Sequence, residues 1–142
     1  MTGLEKLVTL AQYVLPQVLS NATFSAANQT HGLYLKRIFE KGEDSNNAKI
    51  GGYRSKSHIK NRMAGGRQVQ NVDFTNTGSL FGAVNLEKIN NFHYQINAPS
   101  NELVKIKGYE QRTGKTIIEP TAKEIGFFEE ELRDQIKALL GQ

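Results

Sequence analysis

Apolar residues divide the chain into stretches of helical and of alternating period, separated by one long polar segment. Leu4, Leu7, Val8, Ala11, Val14, Leu15 and Val18 recur every three or four residues, which predicts an amphipathic helix with one buried stripe. Pro16 has no amide hydrogen and its ring clashes with the preceding turn, so this helix is expected to end or kink near Leu15. Ser20 or Asn21 can then cap a second helix, whose stripe runs through Phe24, Ala27, His31, Leu35, Ile38 and Phe39 and whose stop is Gly42. Two helices and one kinked helix both fit this pattern.

The periodicity resumes after the polar segment. Thr75 or Thr77 is placed to cap a short helical turn over Leu80 and Phe81. Between Ala83 and Ala98 two strands are expected: Val84 and Leu86 point one way, then Phe92, Tyr94 and Ile96 alternate with His93, Gln95 and Asn97. Asn90-Asn91 between them suits a tight hairpin, because asparagine tolerates positive φ. Residues 101–112 read as a short helix with Leu103, Val104, Ile106 and Tyr109 turned partly inward and Gly114 as its stop. Lys115 to Glu119 reads as a brief third strand closed by Pro120. Thr121-Ala122-Lys123-Glu124 is a capping box, hydroxyl at the cap and carboxylate three residues on, opening a last helix striped by Ile125, Phe128, Leu132, Ile136 and Leu139. Together these elements predict one α+β domain over residues 1–142. Its small antiparallel β-sheet packs against N-terminal and C-terminal helices, and a long extended basic arm, about residues 43–72, is inserted between helix and sheet.

Charge gives that arm its character. The chain has 142 residues, a net charge of +4 and a pI near 9.3. No acid occurs between Asp44 and Asp73, whereas Lys49, Arg54, Lys56, Lys60, Arg62 and Arg67 all fall in the gap. So polar a segment is too poor in apolar area to fold alone, and too long for an ordinary connection, so it is expected to be functional or disordered. An uneven basic balance implies an acidic partner, nucleic acid or protein. Absence of cysteine excludes a disulfide framework, a thiol nucleophile and a thiolate metal site. Glu5 and Lys6 interrupt the apolar N-terminal stretch, so neither a signal peptide nor a membrane span is expected there.

Candidate chemistry is sparse. His31, His58 and His93 lack metal-ligand spacing, and no GxSxG elbow occurs. Gly114-Lys115-Thr116 looks like the end of a phosphate loop, but Tyr109 stands where the upstream glycine is required. Glu129, Glu130 and Glu131 are successive on a helix and fan around it, so they cannot pair on one face. No catalytic, cofactor-binding or metal-binding residue is therefore assigned, no cofactor is expected, and the chain is read as a non-enzyme. The candidate site is the arm. Ile50, Tyr53, Ile59 and Met63 would serve as apolar anchors, and Arg54, Lys56, Lys60, Arg62 and Arg67 as pairing groups, against a neighbouring copy or another protein. Two rival readings are a solvated mobile loop and a nucleic-acid-binding protein that uses residues 49–67 electrostatically. A single arm aromatic, Tyr53, argues against the reading of bases.

A wider pattern then stands out. A helix ending in Arg37-Ile38-Phe39 leads to Lys41-Gly42-Glu43-Asp44, then Gly52-Tyr53, a basic stretch and Gly66-Arg67-Gln68. Next come the run Val72 to Leu80, a hairpin, and Gly108-Tyr109-Glu110-Gln111-Arg112-Thr113-Gly114-Lys115 before the Thr-x-x-Glu helix. From about residue 30 onward this resembles the neck, or tail-completion, proteins of tailed bacteriophages, the head–tail connector subunits that form rings beneath the portal. Asparagine-rich composition adds a likeness to crAss-like phages. Gly126-Phe127-Phe128 departs from the pattern and leaves the subgroup open. The resemblance implies an α+β virion protein assembled in the host cytoplasm as a homo-oligomeric ring of twelve or six copies. Its partners would be the portal and the tail or other neck proteins. Genome DNA would pass through the lumen without sequence-specific binding, and no membrane would be involved.

Overall fold

The computed structural model describes residues 2, 4, 5, 12, 14–75, 78–139 and 141. Helix α1 spans Leu15–Leu35 and continues as a π-helical turn, Lys36–Lys41. Pro16 lies in the first turn of α1, where a missing amide hydrogen costs little, although positions 12 and 14 before it are already π-helical; no second helix begins at Ser20 or Asn21. Leu4 and Glu5 are helical, and Thr2 and Glu5 exchange capping hydrogen bonds; the stripe expected at Leu7, Val8 and Ala11 lies outside the described residues. The buried residues in the middle of α1, Ala22, Thr23, Ala26 and Ala27, are small and admit close neighbours. Gly42 ends the π turn in the left-handed conformation, φ 62°, and its N–H donates to the Arg37 carbonyl. A Cβ there would lie 2.6 Å from the Val72 carbonyl oxygen, so glycine is required on two counts.

Residues 43–72 do not form an extended, protruding arm. The Asp44 carboxylate accepts the Asn46 and Ala48 amides and closes a turn, and Glu43 bridges to Lys49. Ile50 N–H donates to the Gly42 carbonyl and Val72 N–H to the Gly51 carbonyl, which straps the two ends of the segment together. Ser55 caps a nine-residue helix α2, Lys56–Ala64, by accepting the His58 amide. The apolar area missing from the helix itself is supplied by Ile50 and Val72, both buried.

Helix α3, Ser79–Ala83, starts at a left-handed Gly78 with no side-chain cap; the Thr75 hydroxyl donates instead to the Asp73 carbonyl, and Thr77 lies outside the described residues. Strands β1, Asn85–Asn90, and β2, His93–Asn97, form an antiparallel hairpin pairing Leu86 with Ile96 and Lys88 with Tyr94. At its turn the Asn90 side chain accepts the Phe92 amide, and neither Asn90 nor Asn91 adopts positive φ. Helix α4, Ser100–Thr113, ends at a left-handed Gly114. Ile106 is buried and Leu103 and Tyr109 half-buried on it, but Val104 points out, 60% exposed.

No third strand forms at Lys115 to Glu119, because side chains take the carbonyls that a strand neighbour would have used. The capping box of α5, Ala122–Leu139, forms as expected: Glu124 N–H donates to the Thr121 hydroxyl (3.0 Å) and Thr121 N–H to the Glu124 carboxylate (2.9 Å). Helix α5 packs along α1, with Phe128, Leu132 and Ile136 half-buried and Ile125 49% exposed. The side chain of Leu139 lies outside the described residues. Tyr34, Ile38, Phe39, Ile50, Val72, Leu80, Val84, Ala98, Ile106 and Ile117 make one core. The fold is α+β, a two-stranded antiparallel sheet with helices before and after it.

Candidate functional site

Two buried arginines organise the polar interior. Arg37, 3% exposed, projects from the π turn and bonds the Glu124 carboxylate through Nε at 2.6 Å. Its remaining donors reach the carbonyls of Glu43, Ile117 and Glu119. Tyr34 lies beneath the guanidinium and donates its hydroxyl to the Ile118 carbonyl at 2.6 Å. Burial pushes the Tyr34 phenol up to about 12. One side chain thus ties α1, the 43–49 turn, the 115–119 segment and the cap of α5 together. A buried charge of this kind is tolerated because each guanidinium nitrogen has an acceptor.

Arg62, 1% exposed, does the same for α2 and the following loop. It donates to the carbonyls of Gln68 and Thr75 and to the Asp73 carboxylate, the last at 3.2 Å. The Tyr53 ring stacks on its guanidinium at 4.4 Å, and the Tyr53 hydroxyl donates to Asp73 at 3.0 Å. Burial raises the Tyr53 phenol above its ordinary value. Asp73 also accepts the Gln68 amide and the Thr75 backbone N–H, so its lone pairs are well used.

This second cluster forms one wall of an open cleft of about 860 Å³. The residues 50–55 and His58 stand on that side; α4 and the residues after it supply Lys105, Tyr109, Arg112, Thr113 and Lys115 opposite. Lys115 spans the base by donating Nζ to the carbonyls of Lys49 and Ile50, and the Tyr109 hydroxyl donates to Ile50 as well. Phe74 meets the Tyr109 ring edge-on and closes the floor. Among the described residues no carboxylate lines the cleft.

Of the nine residues expected to contact a partner, the cleft gathers four: Ile50, Tyr53, Arg54 and Arg62. Ile50 and Arg62 are buried at 1% exposure and committed to the interior, and Tyr53 is held by Asp73, so these three build the fold and are not free anchors on an arm. Lys56, Ile59, Lys60, Met63 and Arg67 lie on or beyond α2 outside the cleft lining; Met63 is 64% exposed and Ile59 half-buried. Lys105 and Arg112 were not singled out by sequence, and Tyr109 was read only as a partly inward residue of its helix. The signal was present as i, i+4, i+7 spacing, which puts all three on one face of the helix expected at 101–112.

Among the described residues no group of three histidine, aspartate or glutamate side chains is placed to hold a metal ion. No described helix is long and apolar enough to cross a membrane. No protein-family model matches the chain, and neither a curated protein nor a solved structure is similar enough to it to assign a family.

Proposed function

We propose that the chain is a structural subunit of a tailed-bacteriophage neck, without enzymatic activity, which assembles in a ring joining portal and head to tail and leaves a channel for the genome. The observation that carries this reading is where the motif residues fall. Arg37-Ile38-Phe39, Gly42, Gly52-Tyr53, Val72-Asp73-Phe74, Leu80, Tyr109 and the Thr121–Glu124 box are scattered between positions 37 and 124. In the fold they line the core, the two arginine clusters and the cleft floor. Those motifs therefore specify a scaffold and not a reaction centre, which supports a structural role.

What the scaffold leaves outside suits assembly. A closed ring needs two different surfaces per subunit, each meeting its complement on the next copy. The hairpin has two strands and so two unpaired edges, and its turn end exposes Ile89 at 48% and Phe92 at 55%. An unpaired edge with apolar ends is a template for pairing with another chain. Two interfaces of about 800 Å² each would cover roughly a sixth of the 9188 Å² surface, which leaves ample area for portal and tail. The test is incorporation into particles. Phe92→Asp and Ile89→Asp are expected to fold normally, since both side chains are about half exposed, yet to be depleted at least tenfold from assembled particles. Normal incorporation of both would refute the hairpin as a ring contact.

A further inference from the structure

The cleft between residues 50–55 and α4 carries charge that the fold does not use. Arg54 is exposed and makes no hydrogen bond or ion pair among the described residues. Arg112, which also lines the cleft, is exposed; it rests on the Tyr109 ring at 5.6 Å, and its one hydrogen bond among the described residues is to the Gly108 carbonyl. Lys115 reaches two carbonyls but no carboxylate. Of the cations lining the cleft, Lys105 pairs with Glu102 at 2.6 Å and the buried Arg62 with Asp73 at 3.2 Å, both acids lying outside the lining. We infer that this cleft binds the phosphodiester backbone of a nucleic acid, with Arg54 and Arg112 gripping phosphate oxygens from opposite walls. The inference stands independently of the neck reading, since it rests on the cleft alone.

The walls favour phosphates over other acidic ligands. Guanidinium groups present a planar fork that matches phosphate oxygens. An acidic peptide would need apolar anchors beside its carboxylates, but Ile50 and Val72, the aliphatic residues of the cleft, are at most 6% exposed. Base stacking is disfavoured too. The Tyr53 ring is covered by Arg62 and flanked by His58 at 5.2 Å, and the Tyr109 ring by Arg112 and Phe74. The contact is thus to backbone, blind to sequence.

Fluorescence anisotropy of the full chain with a labelled single-stranded DNA, the matching duplex, and a polyglutamate peptide of equal length tests this. Arg54→Ala/Arg112→Ala should weaken binding to both DNAs at least tenfold at low salt. It should also lower the salt slope on single strands by about 1.4, at roughly 0.7 per phosphate contact. Lys123→Ala/Lys137→Ala removes the same charge from exposed positions of α5, outside the cleft, and should change affinity less than twofold. Both pairs are exposed, so thermal unfolding should match the parent and exclude misfolding. The proposal is overturned by no DNA binding at low salt, by equal losses in the two double variants, or by polyglutamate binding as tightly as DNA.

Discussion

Arg37 and Arg62 show how a basic chain can hide charge. Each spends its donors on one carboxylate and several main-chain carbonyls, and each lies against a tyrosine ring. Removing Arg37 would leave the Glu124 carboxylate buried without its cation and three carbonyls without a donor. Arg37→Met is therefore expected to destabilise by about 3–5 kcal/mol, read from denaturant midpoints; a loss below about 1 kcal/mol would show that the cluster is not needed. At this scale the sequence was partly legible. The Thr121–Glu124 box could be read because its partners are three residues apart. The burial of Arg37 and Arg62 could not, since their acids lie 87 and 11 residues away and an arginine at the end of a helix looks the same whether solvated or buried.

At the scale of elements, the helices α4 and α5, the hairpin and the left-handed stops at Gly42 and Gly114 followed from local pattern. Two elements did not. Helix α2 has too few apolar residues to announce itself, and it is held by a serine cap and by Arg62, a tertiary contact that propensity does not contain. The supposed strand at Lys115 to Glu119 has strand-like residues but no free neighbouring strand, and Tyr34 and Arg37 bond its carbonyls instead. The fold of 43–72 hinges on Gly42, where the chain passes against Val72. Gly42→Ala is expected to cost more than the roughly 1–2 kcal/mol of left-handed strain alone, because the new methyl also meets a backbone oxygen. Thermal unfolding reads this, and a cost below about 0.5 kcal/mol would mean that the two strands of chain can part freely.

For the whole molecule, the segment that sequence singled out as an outlying arm is instead one side of a cleft, and α4 supplies another, with Tyr109 bonding Ile50 from 59 residues on. That changes what assembly requires. On the proposed reading, ring contacts would fall to the hairpin edges and its apolar end, leaving the basic groups of the cleft free to face nucleic acid. The scaffold reading is most directly tested by where the protein sits. On the proposed neck reading, electron microscopy of tailed particles produced from the genome that encodes the chain, labelled with gold-conjugated antibody against it, should place label at the head–tail junction and nowhere else on the particle. Label on the capsid shell or the distal tail, or particles that lack the chain altogether, would contradict the account.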